Sequence, residues 1–135
     1  MFRVIAFLLL LMPPRIEAAN WVPVSSDYES AIYFDLDGLK RAGDIVETLL
    51  LWDFANLQLT RRPVKPYLSA ARLTRFDCAK GGRANIETTL YSENMAKGEV
   101  TDVYRTPDAE IRFEWVNADA PGGESMRQVC GAVRP

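Results

Sequence analysis

The chain predicts an α+β fold, mainly antiparallel β-sheet with short helices, closed by one disulfide. Three observations carry that expectation. Apolar and polar residues alternate over short runs, each ended by Gly, Pro, Asp or Asn, which is the pattern of half-buried strands joined by tight turns. A single short helical pattern stands near the C-terminus, and no repeated strand–helix–strand units precede it. The 135 residues, 48% hydrophobic and 25% charged, suffice for one folded domain and exclude the disordered and collagen-like classes.

The N-terminus comes first. Met1, Phe2 and Arg3 precede nine apolar residues, 4–12, a basic start followed by the short hydrophobic stretch of a secretory signal peptide. A bilayer-spanning helix needs about 20 such residues. Ala18 and Ala19 offer a cleavage point, although Ile16 or Glu17 departs from the small-residue rule three positions back. Residues 1–19 are therefore expected to be a signal peptide and residues 20–135 the mature domain; a buried N-terminal strand or helix is the competing reading. Loss of Arg3, Arg15 and Glu17 with the leader would move the formal charge from −2 to −3, which argues against nucleic acid as a partner. No later apolar run approaches membrane-spanning length, and no cysteine follows the apolar stretch, so neither a membrane span nor a lipid anchor is expected.

Residues 20–26 alternate as a first strand, with Pro23 removing a backbone donor and so favouring a sheet edge. Residues 31–35 form a second, Ile32 and Phe34 on one face and Tyr33 and Asp35 on the other. Gly38 and Gly43 punctuate the next stretch, leaving Leu39, Lys40 and Arg41 for a short connection or one helical turn. Residues 45–54 are apolar on both faces around Leu49–Leu51 and enriched in β-branched and aromatic types, as expected of a central strand covered on each side. Residues 56–67, with two prolines and three basic side chains, read as a loop.

Residues 69–78 form another strand. Gly81 and Gly82 break it, and residues 85–91 pair back. Residues 92–98 turn, 100–104 give a short strand, and 111–115 alternate with Ile111, Phe113 and Trp115 facing inward. Residues 124–129 make about two helical turns stopped by Gly131. Six or seven strands result. Cys78 ends one strand and Cys130 stands in the helix; in an exported protein two thiols read as a structural disulfide before a reactive pair, with two free thiols as the alternative.

Residues 32–38 run a hydrophobic strand into Asp-x-Asp-Gly, which looks like the first motif of haloacid-dehalogenase-type phosphatases, with Asp35 as nucleophile and Asp37 as acid/base. Leu39 stands where that pattern wants Thr or Val, no paired acidic motif comes later at a strand end, and the parallel sheet such enzymes use is missing. As a calcium loop the segment also fails: Gly38 arrives too early and Val46 replaces the closing Glu. With no histidine in the chain, Ser-His-Asp and Cys-His arrangements are excluded. The expectation is no catalytic residues, no metal and no cofactor.

Two features could serve binding. Residues 60–66 gather Arg61, Arg62 and Lys65 in a proline-stiffened loop suited to an acidic partner or a polyanion, although a solvated loop is the commoner meaning. Trp21, Tyr28, Tyr33, Trp52, Tyr104 and Trp115 could supply an interface, although alternation assigns most of them to the core.

Taken in order, several landmarks give a resemblance. Trp21 comes directly after the leader, Tyr33-Phe34-Asp35 precedes a Gly-containing connection, and Leu51-Trp52-Asp53 lies in the hydrophobic strand. Ser69 opens the strand that closes on Phe76-Asp77-Cys78. Tyr91-Ser92, Met95 and Gly98 come next, and Trp115 stands ahead of Glu124 and Val129-Cys130. This order resembles the surface-adhesin protein E family of small exported bacterial proteins. The resemblance implies a mainly antiparallel sheet with small helices and a Cys78–Cys130 disulfide. It also implies an adhesin that binds extracellular-matrix and plasma proteins, with haem binding associated. The chain departs from that pattern in lacking a lipid-attachment cysteine and any histidine to ligate haem. The functional expectation is an exported, non-enzymatic domain with a protein partner, or alternatively a periplasmic accessory protein supporting another envelope component.

Overall fold

The computed structural model describes residues 19–120 and 123–132; the expected signal peptide lies outside them, apart from Ala19. Among the described residues, eight strands and one α-helix run in the order β1 (Trp21–Ser26), β2 (Ser30–Asp35), β3 (Lys40–Ala42), β4 (Ile45–Leu59), β5 (Pro66–Asp77), β6 (Gly82–Tyr91), β7 (Val100–Arg105), β8 (Glu114–Trp115) and α1 (Glu124–Ala132). The strands all pair antiparallel in one sheet of order β1-β2-β4-β5-β6-β7, with β3 added beside β4 and β8 beside β6. The strand around Leu49–Leu51 is central, as its two-sided apolar pattern requires. The strand with Pro23 lies at an edge, and its register slips between Pro23 and Ser25.

One face carries the main core. Phe34, Val46, Leu50 and Phe76 point from β2, β4 and β5 at Met126 and Val129 of α1. Period-two alternation in the strands and the three-residue spacing of Met126 and Val129 place these side chains opposite one another. Thr48, buried among them, donates its hydroxyl to the Asp35 carbonyl at 2.8 Å, so its burial leaves no polar group unmet. Cys78, just past β5, and Cys130, in α1, are bonded, their Cα atoms 5.8 Å apart. The disulfide holds the helix on the sheet.

The opposite face buries Leu51 between its cross-strand neighbours Tyr33 and Ala71. The turn after β6 reaches back to it. Asp53 accepts the Met95 amide at 2.8 Å and the Asn94 side-chain amide at 3.0 Å. Ser69 donates to the Glu93 carbonyl at 2.6 Å and accepts the Ala96 amide at 2.9 Å. Met95 and Ala96 both take left-handed backbone, φ 59° and 57°, a conformation non-glycine residues hold only when surrounding contacts determine it.

The structure corrects four sequence expectations. Residues 40–42 are neither connection nor helical turn; they form β3, because Gly43 at φ +60° permits a two-residue hairpin turn back into β4. Much of the segment read as a loop at 56–67 is strand, since β4 runs to Leu59 and β5 starts at Pro66, leaving residues 60–65 as the turn. Gly131 does not stop α1, which continues to Ala132. Of residues 111–115 only Glu114 and Trp115 are strand, and Trp115 is 70% exposed, so the alternation there marks no buried face.

Candidate functional site

The β4–β5 hairpin extends past the sheet proper and carries its turn beside the other edge of the molecule. Pairing between β4 and β5 breaks after Asp53↔Ser69 and resumes at Gln58↔Tyr67, and this irregularity displaces the tip. Phe54 and Tyr67 brace it edge to face, ring centroids 5.9 Å apart. The Thr101 hydroxyl donates to the Pro66 carbonyl at 3.2 Å and Lys65 Nζ to the Thr101 carbonyl at 3.4 Å, tying the tip to β7.

Between tip and sheet lies an open groove of about 440 Å³, lined by Leu59, Thr60, Arg61, Arg62, Tyr67, Arg72, Thr88, Leu90 and Tyr104. Its floor is set by register. Leu50 pairs with Arg72, Arg72 with Thr88, and Thr88 with Tyr104, so Arg72, Thr88 and Tyr104 stand in a row on the face that carries α1 elsewhere. Directly opposite Ala70 is Trp52. The Arg72 guanidinium carbon sits 4.8 Å from the Trp52 ring centroid, a cation–π contact, and Nε donates to Thr88 Oγ1 at 3.2 Å. Burial, and then the neighbouring Arg83 charge, lower the pKa of Arg72; the guanidinium remains charged at neutral pH, in a place that disfavours charge. Among the described residues no carboxylate pairs with Arg72, Arg61 or Arg62.

The nearby edge strand is partly closed. Asp102 accepts the Val103 amide at 2.9 Å and the Tyr104 hydroxyl at 3.0 Å, and Lys65 takes the Thr101 carbonyl. These contacts occupy backbone groups that a sheet edge otherwise offers to an incoming strand. The Tyr104 hydroxyl lowers the Asp102 pKa, with the Val103 amide adding to it. The same hydrogen bond raises the Tyr104 pKa.

The two binding features found separately in the sequence thus meet: the basic loop supplies Arg61 and Arg62, and the aromatic set supplies Tyr104 and, beneath Arg72, Trp52. Arg72 itself was missed, because a single arginine in an alternating strand carries no local signal. Of the other aromatics in that set, Tyr28 is 88% exposed and is not among the residues that line this groove. Asp35 and Asp37 are used locally. Asp35 accepts the Asn20 backbone amide at 3.0 Å, and Asp37 accepts the Asn20 side-chain amide at 3.3 Å. A larger cleft, about 520 Å³, opens between β1–β2 and α1, but its charged lining residues Glu124 and Arg127 lie 3.7 Å from each other as an ion pair.

An antiparallel sheet with one disulfide-held helix and a side groove places the chain among small, disulfide-closed, sheet-dominated α+β domains. The surface-adhesin protein E family model matches residues 21–131, and the chain belongs to that family. Protein E from non-typeable Haemophilus influenzae superimposes with a TM-score of 0.62 at 14% identity, over 90% of this chain and 82% of that one. A second crystal form of H. influenzae protein E gives 0.64 at 14% identity, over 90% and 94%. At that identity the likeness is one of fold. Comparison with curated proteins finds no match.

Proposed function

We propose that the chain is an exported, non-enzymatic, adhesin-like domain that binds a protein partner outside the cytoplasm. Family membership supports the adhesin-like role. The observation that carries the binding reading is the groove, where three arginines without carboxylate partners among the described residues stand beside Tyr67 and Tyr104. Exposed aromatics and arginines are the side chains that contribute most at protein interfaces. The disulfide suits a domain that folds in an oxidising compartment. Residues 1–19 serve as the signal peptide in this reading.

Protease treatment of intact producing cells, with a periplasmic marker as control and the culture medium assayed alongside, tests it. Digestion of the domain on intact cells, or its recovery from the medium, is expected. Protection until the outer envelope is broken would instead assign it to the periplasm as an accessory to another envelope component.

A further inference from the structure

The groove's chemistry defines its ligand more narrowly. Arg72 uses Nε on Thr88 and its face on Trp52. Its two terminal nitrogens have no acceptor among the described residues, yet no side-chain polar atom there is both sealed from solvent and unpartnered. The outer fork of the guanidinium is therefore reachable and held at a fixed angle by stacking and by Thr88. A planar fork with two parallel donors matches a carboxylate bidentately. Arg61 and Arg62 overhang the same space from the hairpin tip, while Tyr67 and Tyr104 form its aromatic sides. Asp102, which accepts the hydroxyl of the lining residue Tyr104, is also engaged by the Val103 amide.

We propose that this groove is a receptor for an acidic peptide segment of a protein partner, one carboxylate seated on Arg72 and the flanking side chains against Tyr67 and Tyr104. The proposal rests on the binding reading above and names its ligand class. Charge complementarity selects the occupant. The chain carries a net charge of −2, so no overall positive charge favours a long polyanion, whereas a short acidic segment responds to the local field of the groove, screened beyond about 8 Å at physiological salt. The mixed lining points the same way. Leu59, Leu90 and two tyrosine rings offer apolar contact that a peptide's side chains can use.

Fluorescence anisotropy of a fluorescein-labelled ten-residue peptide of alternating glutamate and tyrosine tests this, with its glutamine counterpart and a heparin-derived oligosaccharide as comparisons. The glutamate peptide is expected to bind and the glutamine peptide to bind at least about tenfold more weakly, the scale of losing a charge-assisted hydrogen bond. Arg72→Gln, and separately the double variant Arg61→Ala/Arg62→Ala, should each weaken the glutamate peptide about tenfold or more. The double variant sits on an exposed turn, so it keeps the test valid if Arg72→Gln disturbs packing on Trp52. Equal binding of both peptides, no binding of the glutamate peptide, indifference to both sets of substitutions, or tight binding of the oligosaccharide alone would each overturn the proposal; the last would mark the groove as a site for sulfated polysaccharide. If the peptide fails while intact-cell proteolysis still finds the domain outside the cell, the groove assignment falls and the adhesin-like reading stands.

Discussion

Ser69 and Asp53 show how much one polar side chain can organise in this sheet. Ser69 is fully buried and makes two hydrogen bonds to the turn after β6, one given and one received. Replacing it with alanine leaves the Glu93 carbonyl and Ala96 amide without partners, at a cost of about 1–3 kcal/mol. Urea denaturation of Ser69→Ala should show that loss, with faster amide exchange concentrated at residues 93–96; global loss without local change would place the effect elsewhere. At the groove rim, Asp102 and Tyr104 set a pH dependence. The Asp102 carboxyl titrates below its ordinary value of 3.8, so its contribution is present above that value and is lost as pH falls through the lowered pKa. Tyr104 titrates above its ordinary 10.0, so its contribution is complete below 10 and is lost as pH rises through the raised pKa. Between these limits the Tyr104–Asp102 contact should persist. NMR titration of the Asp102 carboxyl should give a midpoint below that of an unstructured peptide aspartate, and Tyr104→Phe should move it back upward.

Among the elements, α1 depends on its approach as much as on its packing. A Cβ at Gly123 would fall 2.5 Å from the Asn117 carbonyl oxygen and 2.6 Å from that of Ala118. No side chain fits there without moving the backbone. Gly123→Ala is therefore expected to lower stability by about 1–3 kcal/mol, the usual cost of forcing extra atoms into a packed site. Met126→Ala, which empties part of the contact between α1 and the sheet, should cost about 2–5 kcal/mol. Thermal melts of the two variants decide this, and an unchanged Tm in both would mean that α1 contributes little to the core. The edge strand β7 behaves differently. Asp102 occupies the Val103 amide, and Val100, Val103 and Tyr104 are all about half exposed on that strand. Removing the carboxylate should free a sheet edge flanked by apolar side chains, which favours self-association.

For the whole molecule, the disulfide is the largest single constraint. It joins positions 52 residues apart and, in the chain-entropy treatment of a closed loop, stabilises the fold by about 4 kcal/mol. Domains of this size have total stabilities of about 5–15 kcal/mol, so Cys130→Ser should lower the denaturation midpoint strongly under oxidising conditions and match the reduced wild type. Equal midpoints for oxidised wild type and variant would contradict this. The charge distribution is the other molecular property that matters. A net charge of −2 coexists with an arginine-lined groove, so composition alone conceals the surface most suited to binding.

The strands around Phe34, Leu50 and Phe76 were legible because period-two alternation records which face of a strand meets a core, and Pro23 marked an edge because it lacks a donor. Trp115 misled for the same reason that those succeeded: alternation reports a pleat and does not report whether anything covers it. The extended hairpin was read as a loop because its prolines and arginines mark a turn, yet only residues 60–65 turn, and pairing of Gln58 with Tyr67 and Leu59 with Pro66 carries the flanking residues as strand. What the sequence by itself determined was the class of fold, the central strand and the pair of cysteines available to bond, all of which rest on local periodicity and composition. Only the tertiary structure decided that Arg61 and Arg62 share one groove with Arg72, Trp52 and Tyr104. That meeting depends on the cross-strand register and on the break in β4–β5 pairing after Asp53, and register is a relation between distant segments that no local pattern encodes.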